Sequence, residues 1–198
     1  SMTVFIANLP DRAVIEIKGE ETLAFLQDLV TADVASLKPG QAAHGALLTP
    51  QGKILFDFFI LAIDGGVLVD CAAQSTAGLV QRLTMYRLRR SLSIEPVDDL
   101  AVAAAWGGTG LPAVDDGHVF RDPRHEQLGS RVIAPLAVIA SISSPPPEAY
   151  LDHRYRLGIG DAAEIGSSEL FPHEACDDPF ATVDFSKGWS VGQEVVSR

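Results

Sequence analysis

The sequence predicts an α+β domain of mixed antiparallel strands and helices. Three observations carry this reading. Apolar runs of strand length are joined by two- and three-residue turn signals, as at Pro39-Gly40, Pro50-Gln51-Gly52 and Asp64-Gly65. Stretches with helical periodicity fall between them without regular alternation, which argues against a parallel βαβ sheet. At 198 residues and 47% hydrophobic, the chain can also bury a large core.

Taken in order, Ala13–Lys18 alternates apolar and polar side chains and stops at Gly19, as a half-buried strand does. Glu20–Val30 places Leu23, Leu26 and Val30 on one helical face, flanked by Phe25 and Leu29. Its acidic start suits a helix N-terminus. Ala42–Leu48 and Ile54–Ile63 read as a hairpin across Pro50-Gln51-Gly52, and Val67–Cys71 follows the Asp64-Gly65 turn. Thr76–Arg90 reads as a second helix, with Leu79, Leu83 and Tyr86 at core spacing and cations near its end. Beyond it the pattern is mainly β, with strands expected at Ser91–Glu95, Ala101–Trp106 and Gly129–Ile133. Pro145-Pro146-Pro147 then sets up a helix from Glu148 to Leu157, capped by Gly158. The expected organisation is one region with a second, intertwined subdomain over roughly 91–145.

The composition excludes several function classes. A formal charge of −11 argues against general nucleic-acid binding, which needs clustered cations to neutralise phosphates. A small anionic ligand stays compatible, because a site needs only local positive charge. No apolar run is long enough to span a bilayer, and the first residues lack a basic stretch followed by an apolar one. Cys71 and Cys176 are too few for a disulfide framework. Together these lead to the expectation of a cytosolic protein without a membrane partner. His44, His118, His125, His153 and His173 lack the spacing of a histidine metal site. Gly107-Gly108-Thr109-Gly110 is followed by Pro112 and Asp115-Asp116 rather than a helix opening, so it is a poor dinucleotide fingerprint.

The C-terminal stretch is the most informative. Lys187-Gly188-Trp189-Ser190-Val191-Gly192-Gln193-Glu194 resembles the K-G-C-[FY]-x-G-Q-E signature of the YgfZ-type folate-binding proteins. These are relatives of the glycine-cleavage aminomethyltransferase (T-protein) and are implicated in maintaining iron–sulfur enzymes. Four further segments are similar to that family in the same order. They are Leu26–Val34, Leu47–Asp57 (with Thr49-Pro50-Gln51-Gly52-Lys53), Asp122-Pro123-Arg124 with Leu128-Gly129-Ser130-Arg131, and Arg156–Ile159 with Phe171-Pro172-His173-Glu174-Ala175. The resemblance implies a T-protein/YgfZ-like folate-binding fold over almost the whole chain, with tetrahydrofolate or a related reduced folate as ligand. It also implies iron–sulfur proteins or their assembly machinery as partners. Relatives usually continue into a small C-terminal β-barrel, which a chain ending at Arg198 is expected to lack.

A pterin offers a ring N–H beside an exocyclic amino group, and a carboxylate accepts both. Asp57 is the leading candidate, because it interrupts the very apolar run Ile54–Ile60, where an unpaired carboxylate is costly to bury. A solvent-facing Asp57 on the polar side of the hairpin is the alternative. Glu174 and Glu194 are further acidic candidates, and for Glu174 the alternative is a helix-start acid. The family motifs add Arg124, Arg131 and Lys187 as partners for the carboxylates of a folate tail, and Gln193 as a further contact. No catalytic residue is assigned. Trp189 stands where the family carries its cysteine, and an indole supplies neither a nucleophile nor a metal ligand.

The expected function is thus a tetrahydrofolate-binding accessory protein supporting assembly or repair of iron–sulfur enzymes. One alternative is a folate-dependent aminomethyl transferase, although Phe56 occupies the place of the second acid that T-proteins carry beside Asp57. Another is a non-catalytic paralogue that kept the fold.

Overall fold

In the computed structural model, which describes residues 3–160, the predicted strand alternation becomes two antiparallel sheets. The first has the order β3-β4-β5-β2-β6, built from Ala42–Leu48 (β3), Ile54–Ile63 (β4), Gly66–Ala72 (β5), Arg12–Lys18 (β2) and Ser93–Pro96 (β6). The second has the order β1-β7-β9-β8, from Phe5–Asn8 (β1), Leu100–Trp106 (β7), Ser130–Pro135 (β9) and His118–Arg121 (β8). Among the described residues all strand pairings are antiparallel.

Alternation along the strands sorts their side chains into layers. One face of the first sheet carries Ile15, Ile17, Phe58, Ile60, Val69 and Cys71. Helices α1 (Thr22–Leu29) and α2 (Thr76–Arg87) cover it with Phe25, Leu26, Leu29, Leu79 and Leu83. The opposite face carries Val14, Phe59, Leu61 and Leu68, which pack on Val102, Phe120 and Ile133 of the second sheet. The far side of that sheet is lined by Ala103, Ala105, Val132 and Ala134, and Ile139 of α3 (Leu136–Ile142) closes over them. Helix α4 (Pro147–Arg156) adds Tyr150 to a third cluster with Ala7, Ala104, Trp106 and Leu128.

Three elements escape the sequence pattern. β1 and β8 are four residues each, too short for alternation to register, and pairing with longer neighbours defines them. α3 follows directly on Pro135 and spans only seven residues, so its apolar sequence reads as a continuation of the preceding strand. The α1 face also differs slightly from expectation: Phe25, Leu26 and Leu29 are buried, while Leu23 is half-buried at the margin.

Glu174, Lys187, Trp189, Gln193 and Glu194 lie outside the described residues.

Candidate functional site

The hairpin register sets one row of side chains across the inner face of the first sheet. His44 on β3 is opposite Phe59 on β4, Phe59 is opposite Asp70 on β5, and Asp70 is opposite Val14 on β2. Asp57 lies two residues before Phe59 and therefore shares its face. Its Oδ2 is 3.3 Å from His44 Nε2, with the Asp57 side chain only 12% exposed. The expectation of a sheltered carboxylate thus agrees with the geometry, and the solvent-facing alternative does not. The His44 ring also lies against Phe59, with centroids 4.8 Å apart. Phe56 points the other way, packed against the cluster beneath α1 and α2.

Where the two sheets meet, Phe59 lies beneath three guanidinium groups. Their central carbons are 4.2 Å (Arg131), 4.8 Å (Arg124) and 5.9 Å (Arg12) from the ring centroid. The electron-rich ring face favours such cations in a dry environment. Asp70, with no exposed surface, bridges two of them. Arg12 Nε donates to its Oδ1 and Arg131 Nε to its Oδ2, both at 2.7 Å. Arg12 Nη2 also donates to the Asp70 carbonyl at 2.9 Å.

Arg124 donates to Asp122, from Nε at 3.1 Å and from Nη2 at 2.9 Å, in the paired geometry that suits guanidinium and carboxylate. Tyr150 of α4 joins the cluster, its hydroxyl oxygen accepting from Arg124 Nη2 at 3.1 Å and from Arg131 Nη1 at 3.4 Å. Burial raises the Asp70 pKa, but the charges and hydrogen bonds of Arg12 and Arg131 outweigh it and hold the carboxyl below its ordinary value. For Asp122 burial again opposes, and Arg124 prevails in the same direction. Both acids are therefore anionic at neutral pH.

Arg124 and Arg131, expected on sequence grounds to meet a ligand, come together on either side of Tyr150, deep between the sheets. They are 6% and 2% exposed and already engaged with carboxylates of this chain. Asp57 is on the same sheet face as the ring they cover.

Sequence reasoning missed Arg12, His44, Asp70 and Tyr150 as parts of this cluster. Asp70 had the signal that singled out Asp57, a lone acid within an apolar strand, here Val67-Leu68-Val69-Asp70-Cys71. Arg12 and Tyr150 had none, since only the sheet packing brings them in. Cys71 faces α1 and α2 rather than this cluster, and burial pushes its thiol up to about 11. Among the described residues, no cluster of three or more His, Cys, Asp or Glu side chains is arranged to hold a metal ion.

No family model matches the chain. An iron–sulfur cluster assembly factor IBA57 homologue, named mitochondrial, from Pyricularia oryzae is 31% identical over 96% of the chain. One from Mycosarcoma maydis is 29% identical over 100% of it, and the Homo sapiens protein of that name is 25% identical over 96%. Its homologues are iron–sulfur cluster assembly factors of the IBA57 type.

The chain spans about half the length of the two fungal relatives, 52% and 54%, and 61% of the human one. The fold is similar to that of the glycine cleavage system aminomethyltransferase T from Bartonella henselae, at a TM-score of 0.56 and 14% identity. That match covers 76% of this chain and 45% of the other. The T-protein-like α+β fold expected from the sequence is thus observed.

The cytosolic expectation is overturned. The IBA57 relatives are named mitochondrial. That expectation came from missing targeting and disulfide signals, which say nothing decisive about an organelle whose proteins also keep thiols reduced.

Proposed function

We infer that the chain is a reduced-folate-binding accessory protein that supports assembly or repair of iron–sulfur cluster enzymes. The iron–sulfur role follows the names of its IBA57 homologues. The ligand follows the resemblance to YgfZ-type folate-binding proteins, together with a fold like that of the aminomethyltransferase.

One observation carries the ligand reading: the sheltered Asp57 carboxylate on the inner face of β4. It meets the His44 Nε2 nitrogen at the long distance of 3.3 Å, and its two oxygens retain acceptor capacity for a paired ring N–H and amino group. In this reading Asp57 orients the pterin, His44 positions the carboxylate, and Phe59 supplies an aromatic surface beside it. Arg124 and Arg131 provide positive potential near the site, and Glu174, Lys187, Gln193 and Glu194 complete the proposed ligand contacts. The bound folate would supply one-carbon chemistry or serve as a bound signal. An aminomethyl transferase is the weaker reading, because Phe56 faces the helices and no second acid adjoins Asp57 on its strand.

Anaerobic calorimetric titration with tetrahydrofolate tests the reading. Saturable binding is expected, and Asp57→Asn should weaken it by about tenfold to a hundredfold, the worth of a charge-assisted hydrogen-bond pair. Equal affinity in wild type and variant would remove Asp57 from the site. Complementation of iron–sulfur enzyme activity in a strain lacking the native factor tests the cellular role.

A further inference from the structure

A concavity opens at one end of the second sheet, on the face turned away from the first sheet and from Asp57. The register sets its floor. Ser130 on β9 is opposite Ala105 on β7 and Arg121 on β8, so these three side chains form a row across that face. Phe120 and Arg131, one position along, point the other way into the space between the sheets. The loop Gly107-Gly108-Thr109-Gly110 borders the row, and Glu126 and His153 complete the wall. His153 is fixed there, its ring stacked on Trp106 at an interplanar angle of 17° and its Nε2 donating to the Gln127 carbonyl oxygen at 2.7 Å. The volume is about 640 Å³, within the roughly 300–1,000 Å³ of small-molecule sites.

The donors of this cleft are unspent. Ser130 is 3% exposed, yet its hydroxyl is open to the cleft and makes no hydrogen bond among the described residues. A polar side chain so buried ordinarily has a partner. Arg121 is exposed and makes no ion pair or hydrogen bond among the described residues, whereas carboxylates of the chain hold Arg12, Arg124 and Arg131. The N–H groups of Gly108, Thr109 and Gly110 donate to no carbonyl among the described residues. Gly108 and Gly110 have φ of +65° and +75°, and a backbone bare of side chains there lets a ligand approach closely. Among the described residues Glu126 is the one acid in the wall, and it is exposed.

We propose that this cleft binds a phosphate-bearing small molecule, its phosphate held by Arg121, the Ser130 hydroxyl and the N–H groups of the glycine loop. These donors come from two strands and a loop, so they do not share a plane. A tetrahedral group with three acceptor oxygens can receive all of them, while a planar carboxylate is matched by a single fork. The phosphate has two sources, the free inorganic anion or a nucleotide, and the volume has room for either.

The test uses the full chain at constant ionic strength set with chloride. It is titrated calorimetrically with pyrophosphate, ADP and succinate, while NMR follows the amides of Gly107, Gly108 and Gly110. Saturable binding of pyrophosphate or ADP is expected, with shifts at these glycines. Arg121→Gln should weaken it at least about tenfold and Ser130→Ala roughly threefold or more. Neither side chain has a partner in the chain, so neither change removes a contact that holds the fold. Lys38→Gln, an equal loss of exposed charge elsewhere, should bind as wild type does. Asp57→Asn should too, so this site and the folate reading can fail separately.

ADP binding at least about tenfold tighter than pyrophosphate assigns the phosphate to a nucleotide, and comparable binding assigns it to the inorganic anion. The proposal is overturned if neither phosphate probe saturates, if succinate matches them, or if the amide shifts fall away from the glycine loop. It is also overturned if Arg121→Gln or Ser130→Ala binds as wild type does, or if Lys38→Gln weakens binding as much as Arg121→Gln.

Discussion

Replacing Asp70 by Asn exposes what holds the two sheets together. The substitution preserves shape, yet it removes the anion between Arg12 and Arg131, each of which donates to it at 2.7 Å. An amide oxygen can still accept from one arginine, but the amide NH2 then faces the donor of the other. Two guanidiniums are left in an interior where the carboxylate had no exposed surface. Breaking one partner of a buried ion pair costs about 3–5 kcal/mol. That is a large part of the roughly 5–15 kcal/mol available to a typical domain.

Urea denaturation should therefore show a midpoint lowered by that loss divided by the slope, with the slope itself unchanged. At about 2–4 °C per kcal/mol, the melting temperature should fall by roughly 6–20 °C. The pH dependence supplies an independent check. The folded Asp70 pKa lies below its ordinary value of 3.8, so its stabilising contribution is complete above that value and is lost as pH falls through the lower folded one. Wild-type stability should therefore fall below about pH 4, and the Asn variant should lack much of that fall. A stability loss under about 1 kcal/mol, with an unaltered acid limb, would mean that the bridge is dispensable and that packing alone joins the sheets.

Two further outcomes follow from the same structure. In a Cys176→Ser background, Cys71 should resist alkylation at neutral pH and react only on unfolding, because burial keeps the thiol protonated up to about 11; rapid labelling of the folded protein would contradict its placement beneath α1 and α2. Gly129 has a φ of +77°, and a Cβ there would collide with the Ala105 carbonyl oxygen. Gly129→Ala should therefore destabilise by more than about 2 kcal/mol in chemical denaturation, and a neutral result would mean that the turn into β9 is laxer than described.

How much was legible beforehand depends on the range of the physical signal. The β3–β4–β5 meander was readable because its turns carry their own chemistry, and Asp64-Gly65 places the residue with a φ of +80° where glycine tolerates it. α2 was readable through Leu79 and Leu83, which are both buried at helical spacing. Asp57 was readable as a carboxylate misplaced in an apolar strand. Arg124 and Arg131 were readable as candidates only through the family motifs, and nothing local showed that Asp122 and Asp70 would hold them.

The chain alone therefore determined most of its elements, its antiparallel α+β character and its resemblance to a folate-binding family, since turn residues, periodicity and short motifs act over a few positions; β1, β8 and α3 were not among them. The second sheet depended on partners far apart in sequence, Ile6 pairing with Ala105 at a separation of 99 residues and Phe5 with Trp106 at 101. The arginine cluster over Phe59 likewise draws on β2, β4, β5, β9, α4 and the turn after β8. Guanidinium and carboxylate groups so distant along the chain interact only once both sheets have excluded water from the space between them, and no local pattern records that event.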